Sequence, residues 1–193
     1  MDNQTITTDK ARLSFVHLLQ PYARNQGDEE KYSCTVLVPK TDVNTKARID
    51  AAIEAAKAYG KDALWGGVIP PILPTPIHDG DGVKQDGTSY GDECKGHWVF
   101  TCSCKTDKKP AVLDTNHNPI LDASEIYSGA YAQVCVRFFP YLFGSKKGIG
   151  CGLEGVMKVS DGEPLGGGRP SVDEMFGTPA QQPQINPITG QPM

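Results

Sequence analysis

Ala130-Tyr131-Ala132-Gln133-Val134-Cys135-Val136-Arg137-Phe138-Phe139-Pro140-Tyr141 is the stretch whose alternation decides the fold. Successive side chains of a β-strand point to opposite faces. One face therefore carries Ala130, Ala132, Val134, Val136 and Phe138, an ordinary core lining, and the other carries Tyr131, Gln133, Cys135, Arg137, Phe139 and Tyr141. A merely solvated face does not usually keep three aromatic rings. The second face either packs beneath the long insertion at 64–92 or is a platform on which flat, polar, anionic ligands stack.

Working outward, Gly144-Ser145-Lys146-Lys147-Gly148 reads as a loop, followed by a last strand from Ile149 to Val159. Upstream, His97 to Lys105 alternates as well. Trp98, Phe100, Cys102 and Cys104 make its apolar face, which assigns Trp98 to the core, while His97, Thr101, Ser103 and Lys105 point outward. Short apolar pieces at Ala111–Leu113 and Pro119–Leu121 bracket Asp114-Thr115-Asn116-His117-Asn118 as a hairpin. Nearer the N-terminus, Ala11–Leu19 and Lys31–Val38 read as antiparallel strands joined by the polar connection Pro21–Glu30.

From Thr45 to Tyr59 the period changes to that of a helix. Ile49, Ala52, Ile53 and Ala56 form one stripe, extended by Tyr59, and Gly60 reads as the stop. Leu64 to Asp92, with four prolines and six glycines, reads as an irregular insertion. Five or six strands and one helix, with no β-α-β alternation, argue for a compact antiparallel barrel or sandwich. Beyond Gly162 the periodicity is lost, and from Gly177 to Met193 no residue is charged, the composition of a flexible tail. The expected division is a domain over 1–162 and a tail over 163–193.

The 193 residues hold 19 Lys and Arg against 23 Asp and Glu, a formal charge of −4. No apolar stretch approaches the roughly 20 residues of a membrane span, so no membrane partner is expected. The first eight residues carry neither the basic flank nor the apolar run of a secretory signal, which points to a cytoplasmic location. In that setting the six cysteines are expected as free thiols. Cys102-Ser103-Cys104, with one intervening residue, fits structural zinc poorly.

Signals for catalysis are weak. The chain has no G-x-S-x-G, H-E-x-x-H or phosphate-cradling G-x-x-x-x-G-K-[ST] sequence. His78-Asp79-Gly80-Asp81-Gly82 reads as a turn rather than a metal loop, so no catalytic residue, metal or cofactor is expected. Charge placement is more informative. Lys105, Lys108 and Lys109 follow the His97 strand, and Lys146 and Lys147 follow the aromatic one. Rings flanked by cations are what an unpaired polynucleotide requires, with stacking for its bases and positive charge for its backbone. An acidic total does not oppose this, because the potential within a groove decides.

Five pieces then carry a family resemblance: Lys31-Tyr32-Ser33; Val36-Leu37-Val38-Pro39-Lys40; Pro119 to Gly129; Gly148-Ile149-Gly150-Cys151-Gly152-Leu153; and Asp161 to Gly167. Their order and spacing resemble a phage family of single-stranded-DNA-binding proteins long catalogued as a domain of unknown function, over about Thr5 to Phe176. The resemblance implies an oligonucleotide-binding (OB) fold, a partly open five-stranded barrel. It also implies a protein without covalent chemistry that coats and protects single strands during replication or recombination in the infected cell. Tyr131, Arg137, Phe139 and Tyr141 match family positions that are commonly aromatic or polar. Asp173-Glu174-Met175-Phe176 resembles a reduced form of the acidic tail through which such proteins recruit replication and recombination partners, although uncharged residues follow it here.

The expected site thus comprises Tyr131, Phe139 and Tyr141 as stacking rings. Arg137, Lys105, Lys108, Lys109, Lys146 and Lys147 are the phosphate contacts, with Arg12 and Phe15 added from the first strand. The alternatives are a virion or assembly protein making protein contacts only, and a metal-dependent nuclease using Asp79, Asp81, Asp86, Asp92 or Glu93. The insertion from Leu64 to Asp92 is left either covering the barrel's groove or joining a homodimer.

Overall fold

The computed structural model describes residues 3–84 and 86–165. Along the chain run β1 (Thr5–Thr7), β2 (Ala11–Tyr22), β3 (Lys31–Pro39), α1 (Val43–Ala63), β4 (His78–Asp79), a 3₁₀ turn (Asp92–Cys94), β5 (His97–Lys105), β6 (Ala111–Leu113), β7 (Tyr131–Phe143) and β8 (Lys146–Ser160). The tail segment Asp173–Phe176 lies outside the described residues.

β7 and β8 form the dominant hairpin. Phe143 faces Lys146, so the turn consumes only Gly144 and Ser145, and Gly144 takes φ +58°, which glycine adopts without strain. This corrects the expected loop: Lys146 and Lys147 are strand residues. The two faces of β7 separate as the alternation requires, with Ala132, Val134, Val136 and Phe138 buried.

The eight strands of the described residues make one sheet in the order β1-β7-β2-β3-β5-β8-β6, with β4 on β5 and a further pairing of β7 with β8. The expected five-stranded antiparallel barrel is thereby corrected to an eight-stranded mixed sheet with one helix. β5 and β6 both run parallel to β8, and β5 meets β8 at the single rung Ser103–Gly152, so the sheet is not continuously sewn together there. β1 was not expected either; its three residues pair with β7 at Cys135, Val136 and Arg137.

β2 and β3 are antiparallel, as expected, but β2 runs on into the anticipated connection as far as Tyr22, which faces Lys31. Between the pairs Ser14–Thr35 and His17–Ser33 it carries one extra residue, a β-bulge. Phe15 sits in that bulge at φ +47°, a left-handed conformation costly for a residue with a Cβ. The Ser128 hydroxyl accepts the bulge's Val16 N–H at 3.1 Å.

Asp42 caps α1 by accepting the Thr45 N–H at 2.9 Å. The helix buries Ile49, Ala52, Ile53 and Ala56, whereas Tyr59 is exposed. Gly60 does not stop it. The helix continues to Ala63, and Gly60 is a point of close approach, where a Cβ would lie 2.6 Å from Pro140 Cβ and 2.8 Å from the Trp65 ring. Trp65 in turn donates its indole N–H to the Tyr141 carbonyl at 3.2 Å, fastening the helix end to the hairpin.

The main core centres on Leu13, Val36, Phe100, Cys102, Val134 and Phe138. Trp98, expected in the core, is only half-buried, with Lys40 Nζ 5.1 Å and Lys46 Nζ 4.7 Å from its ring centroid. All six cysteines are free, and Cys34 Sγ lies 3.6 Å from Cys102 Sγ. Burial pushes the Cys151 thiol up, and Cys104 up to about 11.

On the outer face of β3 and β5 a smaller cluster joins Leu37, Val99 and Cys94 to Tyr90 and Leu165. The insertion therefore covers one end of that face, anchored by β4 on β5 and by Lys40 bonded to both Asp79 and Asp81. The Lys40 ammonium holds both carboxyls below their ordinary range. Residues 161–165 cross the same surface as a strap. Tyr127 donates to Gly162 O at 3.0 Å, Arg12 to Glu163 O at 2.7 Å, and Leu165 N–H to Ser128 O at 2.8 Å.

Candidate nucleic-acid interface

The outward side chains of β7 meet a run of glycines on β8. The register pairs Arg137 with Gly152, Phe139 with Gly150, and Tyr141 with Gly148. A Cβ on Gly150 would lie 2.6 Å from Phe139 Cζ, and one on Gly148 would collide with the Tyr141 hydroxyl. The rings thus lie over the backbone of the neighbouring strand, in space that only glycine leaves free. Beneath them Ile149, Cys151 and Leu153 fill the core, so the K-K-G-I-G-C-G-L pattern alternates seat and core residue. Phe139 remains 40% exposed.

The register continues this surface around the curl of the sheet. Gly152 meets Ser103, Ser103 meets Ser33, and Ser33 meets His17, giving one row with Arg137 at its start. One step along, Thr101 faces Thr35, their hydroxyls 3.0 Å apart, and Thr35 faces Ser14. One step the other way, Lys105 faces Lys31, which faces Tyr22. The floor is therefore made of glycine, serine and threonine. Its far side on β2 carries Phe15, 68% exposed on its bulge, and a stacked pair, His17 and Tyr22, with ring centroids 4.4 Å apart and planes 10° apart. The insertion and the strap border one edge through Leu37 and Val99, and the lysines border the other.

This arrangement unites some of the expected residues and separates others. Arg137, Phe139, Tyr141 and Lys146 lie on one face of the hairpin, Lys146 opposite Phe143 at its tip. Arg137 also approaches Gln4 Oε1 at 3.5 Å. Lys105 joins the floor's margin, where Glu29 sits 3.6 Å from it and 3.8 Å from Lys31. Lys108 and Lys109 are exposed in the turn after β5. Lys147, by contrast, pairs with Leu142 on the other face of the hairpin, its Nζ 3.5 Å from the Trp65 carbonyl. Tyr131 shares the face of Phe139 but stands eight residues away, about 27 Å along the strand. Its ring is met by Lys10 Nζ at 4.6 Å and by the Arg12 guanidinium at 5.9 Å. Arg12 itself donates to the carbonyls of Glu163 and Gly129.

Four of the five carboxylates of the nuclease alternative are engaged by a lysine or a hydroxyl. Asp79 and Asp81 share Lys40, Asp92 pairs with Lys95 at 2.6 Å, and Asp86 accepts from Thr88. Among the described residues no group of His, Cys, Asp or Glu is placed to hold a metal ion.

A curled mixed sheet with one helix, bearing rings, hydroxyls and marginal cations on its outer face, defines the oligonucleotide-binding class of architecture. Within that class, a family model described as the ssDNA-binding protein of Enterobacter phage Enc34 matches residues 4–185, and the chain belongs to this family. Among solved structures, the single-stranded DNA-binding protein from bacteriophage Enc34 in complex with ssDNA is 32% identical, with a TM-score of 0.72, over 86% of this chain and 91% of that one. A second structure of the single-stranded DNA-binding protein from bacteriophage Enc34 is 30% identical, with a TM-score of 0.70, over 91% of each chain. The single-stranded DNA-binding protein gp2.5 of bacteriophage T7 is 17% identical with a TM-score of 0.58, over 86% of this chain and 90% of that one, a likeness of fold alone. No curated protein matches the chain.

Proposed function

We propose that this protein binds single-stranded DNA without catalysing a reaction, coating and protecting it during phage replication or recombination in the cytoplasm of an infected bacterium. The observation that carries this reading is the hairpin face on which Phe139 and Tyr141 lie over Gly150 and Gly148, with Arg137 and Lys146 at either end. Family membership and the likeness to a phage protein solved with ssDNA support it.

Phe139 and Tyr141 stack bases; Arg137, Lys146 and Lys105 neutralise phosphates, and Lys108 and Lys109 extend the positive margin. The small side chains of the floor admit the strand without reading base edges, and Phe15 receives it on the far side. Arg12 and Tyr131 hold the strap, and Lys147 holds the hairpin against Trp65. The tail beyond the described residues contacts replication or recombination proteins, and a homodimer is compatible with this arrangement. A protein making protein contacts only would leave the rings on the glycine run without a role.

Anisotropy of a labelled oligo-dT, titrated at low and moderate salt with duplex and single-stranded competitors, tests the reading. Displacement by single strands but not by duplex, with affinity falling steeply as salt rises, is expected. Absence of binding at low salt refutes it.

A further inference from the structure

The ring-bearing face of the hairpin does not end at Tyr141. Phe143 is two residues on, hence on the same face, and is 81% exposed, more than any other Phe, Tyr or Trp among the described residues. A large ring left almost wholly in water at a hairpin tip gains nothing for the fold, and Lys146 stands directly across from it. Along one face the pairs run Arg137–Gly152, Phe139–Gly150, Tyr141–Gly148 and Phe143–Lys146. Three rings at two-residue spacing, about 7 Å apart, are thus closed at each end by a cation.

We infer that Phe143 is the third stacking ring of this ladder, and that Gly148 and Gly150 are positioning residues which seat the other two rings. The inference rests on the reading of this face as a single-strand site and adds to it a ring and a cause for the glycine repeat. The geometry states what a side chain at these glycines would displace. The atoms met at Gly150 are Cζ and Cε2 of Phe139, at 2.6 and 2.8 Å, and the atom met at Gly148 is the Tyr141 hydroxyl. These are the far ends of movable side chains, so an added methyl swings the ring rather than breaking the strand. The core beneath is untouched, because Ile149 and Cys151 point the other way.

The test uses the full chain, oligo-dT anisotropy, and five variants: Phe143→Ala, Phe143→Leu, Gly150→Ala, Phe139→Ala and the double variant Gly150→Ala/Phe139→Ala, with thermal melts of each. Phe143→Ala is expected to weaken oligo-dT binding about tenfold, as is Phe143→Leu, which keeps apolar bulk but has no π face. Gly150→Ala is expected to weaken binding by nearly as much as Phe139→Ala, and the double variant no more than Phe139→Ala alone, because the glycine acts through the ring. Unchanged affinity in a folded Phe143→Leu protein overturns the role of the third ring, including when self-association falls instead. Multiplying losses in the double variant overturn the positioning role. Failure of the unsubstituted protein to bind oligo-dT sinks the parent reading, an outcome distinct from both.

Discussion

Glu29 is the most telling single position for the electrostatics of the floor. Its carboxylate lies 3.8 Å from Lys31 and 3.6 Å from Lys105, the two cations that face one another across β3 and β5. In water each such exposed pair contributes little to folding, so Glu29→Gln should leave the melting temperature nearly unchanged. Toward a polyanion the effect is larger. Glu29 cancels one of the two cations of this row. For single strands the slope of log K against log salt is about −0.7 per phosphate neutralised, so Glu29→Gln should steepen the slope by about 0.7. Between 50 and 200 mM salt the variant should therefore lose about 2.6-fold more affinity than the natural chain loses. At low salt, removing one negative charge some 4–7 Å from a phosphate should tighten binding about threefold to fivefold. The assay is oligo-dT anisotropy across that salt range. Equal affinity and equal slope for the two proteins would refute the placement of the Lys31–Lys105 row at the site.

Gly60→Ala trades a gain in helix propensity of about 1 kcal/mol against overpacking on Pro140 and Trp65 of about 1–3 kcal/mol. A net loss of ~1 kcal/mol, seen as a melting temperature lower by about 2–4 °C, is expected, and a rise would contradict the close approach. Arg12→Ala should raise hydrogen exchange at Gly162 and Leu165 by freeing the strap, while oligo-dT affinity changes less than about twofold; a tenfold loss of affinity with unchanged exchange would return Arg12 to the DNA site. The acid limb of stability follows from Asp79, Asp81, Asp92 and Asp161, whose lysine partners hold them below the ordinary value of 3.8. Depressed carboxyls stabilise the fold above that value and cease to as pH falls through their folded values, so the melting temperature should be flat from about pH 5 to about pH 8 and drop below about pH 4. Asp79→Asn/Asp81→Asn should flatten part of that drop, and an unaltered profile would count against the Lys40 network.

The β7 alternation and the Ile49–Ala56 stripe were legible because each repeats a period often enough to be unmistakable, and both ends of β5 were placed correctly from the sequence. β1 was not, since three residues carry no period, and the parallel rung between β5 and β8 has no local signal at all. Gly60 shows how chemistry near a helix end misleads: a glycine reads as a stop, yet packing against Pro140 selected it. The same limit hid the floor of the site. Gly148, Gly150 and Gly152 stood out as a repeated pattern, but their use as seats appears only when the register lays β7 rings across them. Lys146 and Lys147 look equivalent in sequence, and the tightness of the Gly144-Ser145 turn puts them on opposite faces. Phe15 gave no sign of its left-handed backbone, because a bulge is a property of two strands in register and not of one.

Photocrosslinking of oligo-dT carrying 5-iododeoxyuridine, with adducts mapped by mass spectrometry, tests most directly where the strand lies. Adducts on Phe139, Tyr141 and the β2 rings Phe15 or Tyr22 are the result this arrangement requires. Adducts confined to residues away from that face, such as Tyr59 on the helix or Trp98 between its two lysines, would contradict it.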